Sequence, residues 1–401
     1  MTVLLPGKGD KMRKLDVIDL IAKLVAMKTV TGQSNLVIVR WFDRLLKGLG
    51  FETIIQRKTY GENSKKEVVC ANLVARFGPR DVEPLMLCGH MDTVPPGKWS
   101  DWHQENPFRV VFSEGKLFGL GVLDMKGSIA TMICAVAPLL SQLFHRELII
   151  SLTHGEESGL LGIKLLQESS LVKPKYALIG EPTMMRPIRK HKGPIDAFVH
   201  CSGLSAHASD PCKGINAIEI AAEVIDVLRD FREELKAQLD DDFDPPFTTL
   251  NIGTIHGGEA INIIPSYCEI GFEIRPIPGQ DTLLMFRDLQ IRLESIRRDD
   301  QGNSLVKLNP TREPVGGSVS TESSSLIVRV AEEVTGQKAG TVPFGTEASI
   351  VQLMGADCLI LGPGDIHQAH KPDESIELSQ LVLAVDQFRK IVQRICIDKA
   401  V

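Results

Sequence analysis

The residues whose types and spacing could do chemistry together are His90, Asp92, Asp124, Glu156, Glu157, Glu181 and His370. His90 and Asp92 close the run Leu85-Met86-Leu87-Cys88-Gly89-His90-Met91-Asp92, and residues two apart on an extended chain point the same way. The apolar run Leu148–Thr153 ends in His154-Gly155-Glu156-Glu157, and Tyr176–Ile179 ends in Gly180-Glu181-Pro182-Thr183. Cys358–Leu361 ends in Gly362-Pro363-Gly364 and leads to His367 and His370. Asp124 lies in Gly119-Leu120-Gly121-Val122-Leu123-Asp124-Met125-Lys126-Gly127, which opens a long apolar helix running to about Phe144. That segment lacks the third glycine of a dinucleotide fingerprint, and its spacing to a ribose-binding acid is wrong.

Two imidazoles, His90 and His370, with the carboxylates of Asp124, Glu157 and Glu181 suit borderline divalent ions such as Zn2+ or Co2+. Asp124 could bridge two such ions roughly 3.5–4 Å apart. Asp92 could accept the second N–H of His90, as carboxylates do behind metal-bound imidazoles. Glu156 is then free to take a proton from water. Each residue also has an ordinary reading. Paired glutamates favour a helix start, a glutamate before proline is a turn residue, and an aspartate before a helix is a cap. Any one of these would win alone; together, the repeated strand-end placements favour a metal centre.

The elements that must position these groups alternate. Helical spacing runs from Leu15 to Val25 and from about Ser34 to Leu49, after a loose basic lead-in over residues 1–13. Strands are predicted at 51–56, 68–76, 85–88, 148–153, 176–179 and 358–361. Such alternation implies an α/β fold: a mainly parallel sheet with helices on both faces, and a ligand crevice beyond the strands' carboxyl ends. Between about 188 and 312 the order becomes strand, helix, strand, strand, helix, strand. That is the split βαβ, ferredoxin-like α+β pattern. It interrupts the first domain, so the expected division is 1–187, 188–312 and 313–401. The run Asp240–Pro246 reads as a solvated linker, without the glycine and distal glutamate of a calcium loop.

Composition narrows the classes. With 401 residues, 43% of them hydrophobic and 24% charged, the chain suits two ordinary globular domains. A net charge of −6, with no basic run, excludes nucleic acid as the expected partner. Eight scattered cysteines without a C-x-x-C pair fit a reducing compartment. The N-terminal run Val3-Leu4-Leu5 is too short for a signal and no apolar span reaches membrane-helix length, so the expected location is cytoplasmic and away from membranes.

The motifs GHMDTVP at 89–95, GLGVLDMKG at 119–127, EE at 156–157, GEPT at 180–183 and AH at 369–370 carry a resemblance. From about residue 15 to the C-terminus the chain resembles the co-catalytic metallo-aminoacylase and exopeptidase family. The resemblance implies two divalent ions, one on His90 and the other on His370, with Asp124 bridging and Glu157 and Glu181 completing the two sites. It implies Glu156 as general base and Asp92 as the group that orients His90. The inserted module would be the family's lid and dimerisation domain, giving a homodimer. In it, His207 would support the oxyanion in a partner subunit's site, while Asn262 and Arg275 would meet the substrate carboxylate. One departure is Gly155, where the family often has an acid.

Within the family, three stretches resemble the members acting on N²-acetyl-L-ornithine: His191-Lys192-Gly193, Gly345-Thr346-Glu347-Ala348, and Gly362-Pro363-Gly364 continuing to Gln368-Ala369-His370-Lys371-Pro372-Asp373-Glu374. The expected reaction is therefore its hydrolysis to L-ornithine and acetate in arginine biosynthesis. The terminal ammonium of that substrate needs an anion, and Glu347 is the candidate. The alternatives are another acyl-amino-acid hydrolase (a succinyl-diaminopimelate desuccinylase, an aminoacylase or a dipeptidase) and a non-catalytic metal-bearing scaffold.

Overall fold

The computed structural model describes residues 2–5, 13–61, 67–102, 105–311 and 317–398. The chain forms two compact units. The first comprises Met1–Arg189, Thr321–Gly340 and Thr346–Val401; the second comprises Lys190–Ser320 and Thr341–Gly345. The boundary read at 312/313 lies outside the described residues. Nothing in the sequence marks Thr341–Gly345 as part of the inserted unit.

At the centre of the first unit four parallel strands run in the order Asp357–Ile360, Tyr176–Ile179, Leu85–His90, Leu148–Thr153. Antiparallel strands extend both sides: Val68–Phe77 and then Glu52–Tyr60 on one, and Ile188 on the other. The sheet is thus mixed, parallel only at its core. Strands close in sequence, such as 52–60 and 68–77, lack the length for the crossover that parallel pairing needs. The lead-in is also more regular than its sequence implies, since Thr2–Leu5 pairs antiparallel with Arg13–Asp16.

Both faces of the central strands are covered, which is why they read as unbroken apolar runs. Leu85, Leu87, Leu148, Ile150, Leu178 and Leu359 pack into one layer with the helices Val17–Ala26, Leu36–Gly48, Lys126–Val136, Leu326–Thr335 and Leu378–Val392. Met86, Cys88, Ile149, Ala177 and Cys358 alternate onto the other face, beneath Leu161–Ser169 and Ala348–Leu353. The helix from Lys126 is buried along its whole length but stops at Val136, short of Phe144. Pro138 follows in a 3-10 turn and has no N–H to continue the ladder. All eight cysteines are free thiols.

The second unit has its own core. Its four antiparallel strands lie in the order Thr249–Gly257, Tyr267–Arg275, Ile195–Ser202, Val306–Pro310, with helices Ala217–Glu234 and Thr282–Glu294. This is the ferredoxin-like arrangement. Ile195, Ala197, Val199 and Cys201 alternate inward onto Val224, Leu228, Leu289 and Leu293. The acidic run at 240–246 is not a free linker. Lys190 Nζ reaches Asp240 and Asp242 at 2.9 and 2.7 Å, and Lys192 Nζ donates to the carbonyls of Pro245 and Phe247, both at 2.7 Å.

The strand that ends in His90 is held by its core-facing leucines. Leu87→Ala is expected to lower unfolding free energy by about 2–5 kcal/mol, measured by urea titration followed by circular dichroism. A loss below about 1 kcal/mol would mean that this layer does not hold the strand.

Candidate metal centre

The site gathers at the carboxyl ends of the parallel strands. His90 is the last residue of its strand and is almost fully buried. Its Nε2 lies 3.0 Å from Asp124 Oδ1 and 3.7 Å from Glu181 Oε1. His370 Nε2 lies 3.2 Å from the other Asp124 oxygen, Oδ2, and 3.1 Å from Glu157 Oε1. One carboxylate therefore presents an oxygen to each imidazole. Three donor groups lie here, His90–Asp124–Glu181 and Asp124–Glu157–His370 through Asp124 and His90–Glu156–Glu157 beside them, with the atoms of each within 4.8 Å of one another. The structure brings together all five residues read as ligands.

Two glycines let Asp124 approach. A Cβ at Gly89 would sit 2.9 Å from both Ile129 Cγ1 and Met125 Cε, and one at Gly180 would collide with Ser128 and Met132. Their absence allows the helix that begins at Lys126 to lie directly over the strand ends. Asp92 meets His90 through its main chain. His90 Nδ1 bonds to its main-chain carbonyl at 3.0 Å, while the nearest carboxylate oxygen is 3.7 Å away. The Asp92 carboxylate instead accepts the main-chain N–H groups of Glu156 and Glu157, at 3.2 and 3.3 Å. The carbonyl fixes the imidazole and leaves Nε2 for a ligand role; the carboxylate fixes the turn carrying the paired glutamates.

Titratable groups of both signs crowd the site. Burial disfavours ionised Glu156 and, with neighbouring Glu157, Glu347 and Asp124 opposing His90, pushes its pKa up to about 8. Burial and then Asp124 drive Glu181 well above the carboxylate range. Asp124 is also buried, yet His370 and His90 hold it below that range. Burial opposes protonation of His90, but Asp124, Glu181 and Glu156 outweigh it and raise its pKa well above normal. Crowded carboxylates with imidazoles as their cations form a donor set that divalent ions fit.

The model of peptidase family M20/M25/M40 matches residues 86–394. This chain belongs to that family. It is a metal-dependent hydrolase. Acetylornithine deacetylase of Proteus mirabilis (strain HI4320) is 35% identical over 394 residues, covering 95% of this chain and 97% of that protein. Acetylornithine deacetylase of Pasteurella multocida (strain Pm70) is 35% identical over 367 residues, covering 91% and 92%. A tripeptidase of Staphylococcus aureus superposes with a TM-score of 0.72 at 22% identity, covering 94% of this chain and 97% of that one. A metallo-carboxypeptidase of Sulfolobus solfataricus gives 0.74 at 16% identity, covering 94% and 98%. A dinuclear metal-binding M20 peptidase of Bacillus subtilis gives 0.66 at 13% identity, covering 94% and 96%. No helix among the described residues is long and apolar enough to cross a membrane.

The other residues read as site residues are His207, Asn262, Arg275 and Glu347. His207, Asn262 and Arg275 belong to the second unit. His207 is exposed on the two-residue strand Ala206–His207, with Nδ1 2.7 Å from Ser209 Oγ. Asn262 is exposed, and its carbonyl accepts the N–H of Ala208. Arg275 already holds a carboxylate: its Nε and Nη2 lie 2.6 and 3.1 Å from the two oxygens of Glu273, and Nη1 donates to Pro343 O. Glu347 stands immediately before the helix Ala348–Leu353, but it is wholly buried rather than a solvated helix acid. Its Oε2 lies 3.4 Å from Cys88 Sγ, and its Oε1 has no hydrogen-bond partner.

Sequence reasoning left His154 without a role. Gly155 takes φ +62, a left-handed conformation that favours glycine there over an acid. His154 supplies order instead. Its Nδ1–H donates to Asn72 Oδ1 at 2.8 Å, and its Nε2 accepts from the Tyr60 hydroxyl at 2.9 Å. Asn72 in turn donates to Gly162 O at 2.7 Å. Only the spacing of His154 to the paired glutamates could have flagged it, because its partners come from distant strands and a helix.

Burial pulls the His154 pKa down to about 4, against about 6.5 in an unfolded chain. As pH falls from about 6.5 toward 4, the unfolded chain binds a proton that folded His154 refuses, so stability drops. His154→Gln should reduce that slope by up to about 1.4 kcal/mol per pH unit, with His191, whose pKa burial likewise pulls down to about 4, keeping its own share. Urea midpoints of both proteins at several pH values measure it. Parallel slopes would show that His154 does not stay neutral.

Proposed function

We propose that this protein removes the acetyl group of N²-acetyl-L-ornithine, giving L-ornithine and acetate, as a cytoplasmic homodimer working in arginine biosynthesis. The observation that carries the two-metal chemistry is Asp124, one oxygen toward His90 and the other toward His370. The substrate assignment is supported by the 35% identity to acetylornithine deacetylases over nearly the whole chain. His90, Asp124 and Glu181 would hold one ion, and Asp124, Glu157 and His370 the other; the nitrogen and oxygen donors suit Zn2+ or Co2+. Such ions, when bound, supply Lewis acidity to the amide carbonyl and lower the pKa of a water toward about 7.

The chain's own residues do the rest. Glu156 takes the proton of the water whose oxygen attacks the acetyl carbon. It returns that proton to the nitrogen as the C–N bond breaks, so acetate and the free amine leave. Asp92 keeps the 156–157 turn in place through two main-chain N–H groups. Asn262 and Arg275 are assigned to the substrate's α-carboxylate, which must then displace Glu273 from the Arg275 fork. His207 is assigned to the oxyanion and the inserted unit to dimerisation.

Glu347 is assigned to the substrate's terminal ammonium. A buried carboxylate with an unpartnered oxygen, its pKa raised by burial, gains most from an incoming cation. Charge-assisted contacts contribute about 1.5–3 kcal/mol, so Glu347→Gln should cut kcat/KM for acetylornithine by roughly 10–150-fold. N-acetylmethionine, with no terminal charge, should be nearly unaffected. The assay compares both substrates, with N-succinyl-diaminopimelate and dipeptides alongside. Equal losses on both acetyl substrates would make Glu347 a support of the metal centre. Faster release of succinate, or faster dipeptide cleavage, would move the protein to another M20 activity.

A further inference from the structure

We infer that Glu374 is a positioning residue that fixes Asp124 relative to His370 and thereby sets the affinity of the second metal site. Glu374 is 1% exposed, so neither water nor substrate meets it. Its Oε1 accepts the main-chain N–H groups of Leu123 at 2.8 Å and Asp124 at 3.1 Å, and both its oxygens lie 3.0 Å from Gly121 N. Successive N–H groups converging on one carboxylate form a nest; burial pushes the pKa of Glu374 up to about 7, and these N–H donors favour its ionised form. The turn ending in Asp124 is therefore wrapped around this carboxylate. Gly121 makes the wrapping possible: it takes φ +85, and a Cβ there would lie 2.9 Å from Thr93 Cγ2.

The main chain of Glu374 completes the clamp. Its carbonyl accepts from Gly119 N at 3.0 Å, and the next residues, Ser375–Glu377, pair antiparallel with Lys116–Phe118. His370 lies four residues earlier on the same segment. One residue thus ties the segment carrying His370 to the turn carrying Asp124, across 250 positions of sequence. His90 and Glu181 come from the ends of other strands and make no hydrogen bond to it. Loss of the Glu374 carboxylate should loosen Asp124 against His370 while His90 and Glu181 stay in place.

This inference rests on the two-metal reading proposed above, and the test separates their failures. Full-length protein stripped by chelator is titrated with Zn2+ by calorimetry, and with Co2+ followed by visible absorption. Wild type should take up two ions. Glu374→Gln keeps the side chain's shape but puts an amide in the nest. It should weaken the first ion, which shares Asp124, less than the second, which should bind roughly 10–100-fold more weakly, and change the Co2+ spectrum chiefly at the second equivalent. Glu374→Ala should do more; should it fail to fold, the Gln variant carries the test alone. Unchanged second-site affinity, or equal weakening at both sites, would overturn the inference. A wild type that binds a single ion would overturn the two-metal reading, and this inference with it.

Discussion

A buried carboxylate shared by two imidazoles is the constraint on which the rest of the structure depends. Asp124 Oδ1 lies 3.0 Å from His90 and Oδ2 lies 3.2 Å from His370, although the two histidines come from opposite ends of the sequence. To hold that arrangement the chain needs a rigid strand under His90, a helix start that sits on the strand ends, and a C-terminal segment that folds back. The mixed sheet supplies the first, Gly89 and Gly180 permit the second, and the pairing of 375–377 with 116–118 provides the third. The layers that cover both sheet faces are what make so polar a centre tolerable, because stability is invested in the core rather than in the site.

The centre gathers negative charge where water is scarce. Glu156, Glu181 and Glu347 all have pKa values raised by burial, and no lysine or arginine among the described residues bonds to their side chains. Buried carboxylates left in this state are destabilising unless paired or coordinated. A site of this kind makes sense as one completed by cations, and its cost without them is the physical counterpart of its affinity for them. Membership of the M20 family and this donor chemistry therefore support one another.

Much of this could be read from the chain. The α/β class and the ferredoxin-like insertion were legible because apolar runs, glycine turns and inward alternation such as Ile195-x-Ala197-x-Val199 are local signals. So was the meeting of His90, Asp124, Glu157, Glu181 and His370, since four of them follow apolar strands that can end at one sheet edge and Asp124 opens the helix laid over those ends. What stayed hidden depends on pairing between distant segments. The antiparallel flanks of the sheet, the use of the Asp92 carboxylate on the 156–157 turn, the lysine clamps on the acidic run and the Glu273 occupancy of Arg275 are examples. None has a periodicity or motif of its own. The return of Thr341–Gly345 to the inserted unit is equally silent in sequence.

The central claim is that Glu156 moves the proton at a centre whose metals are held by other residues. Glu156→Gln tests it most directly, with metal content and initial rates measured on the same preparation. The account predicts that both ions stay bound while kcat falls by ~10²–10⁴, the usual worth of a positioned general base. Near-normal turnover with full metal content would contradict it.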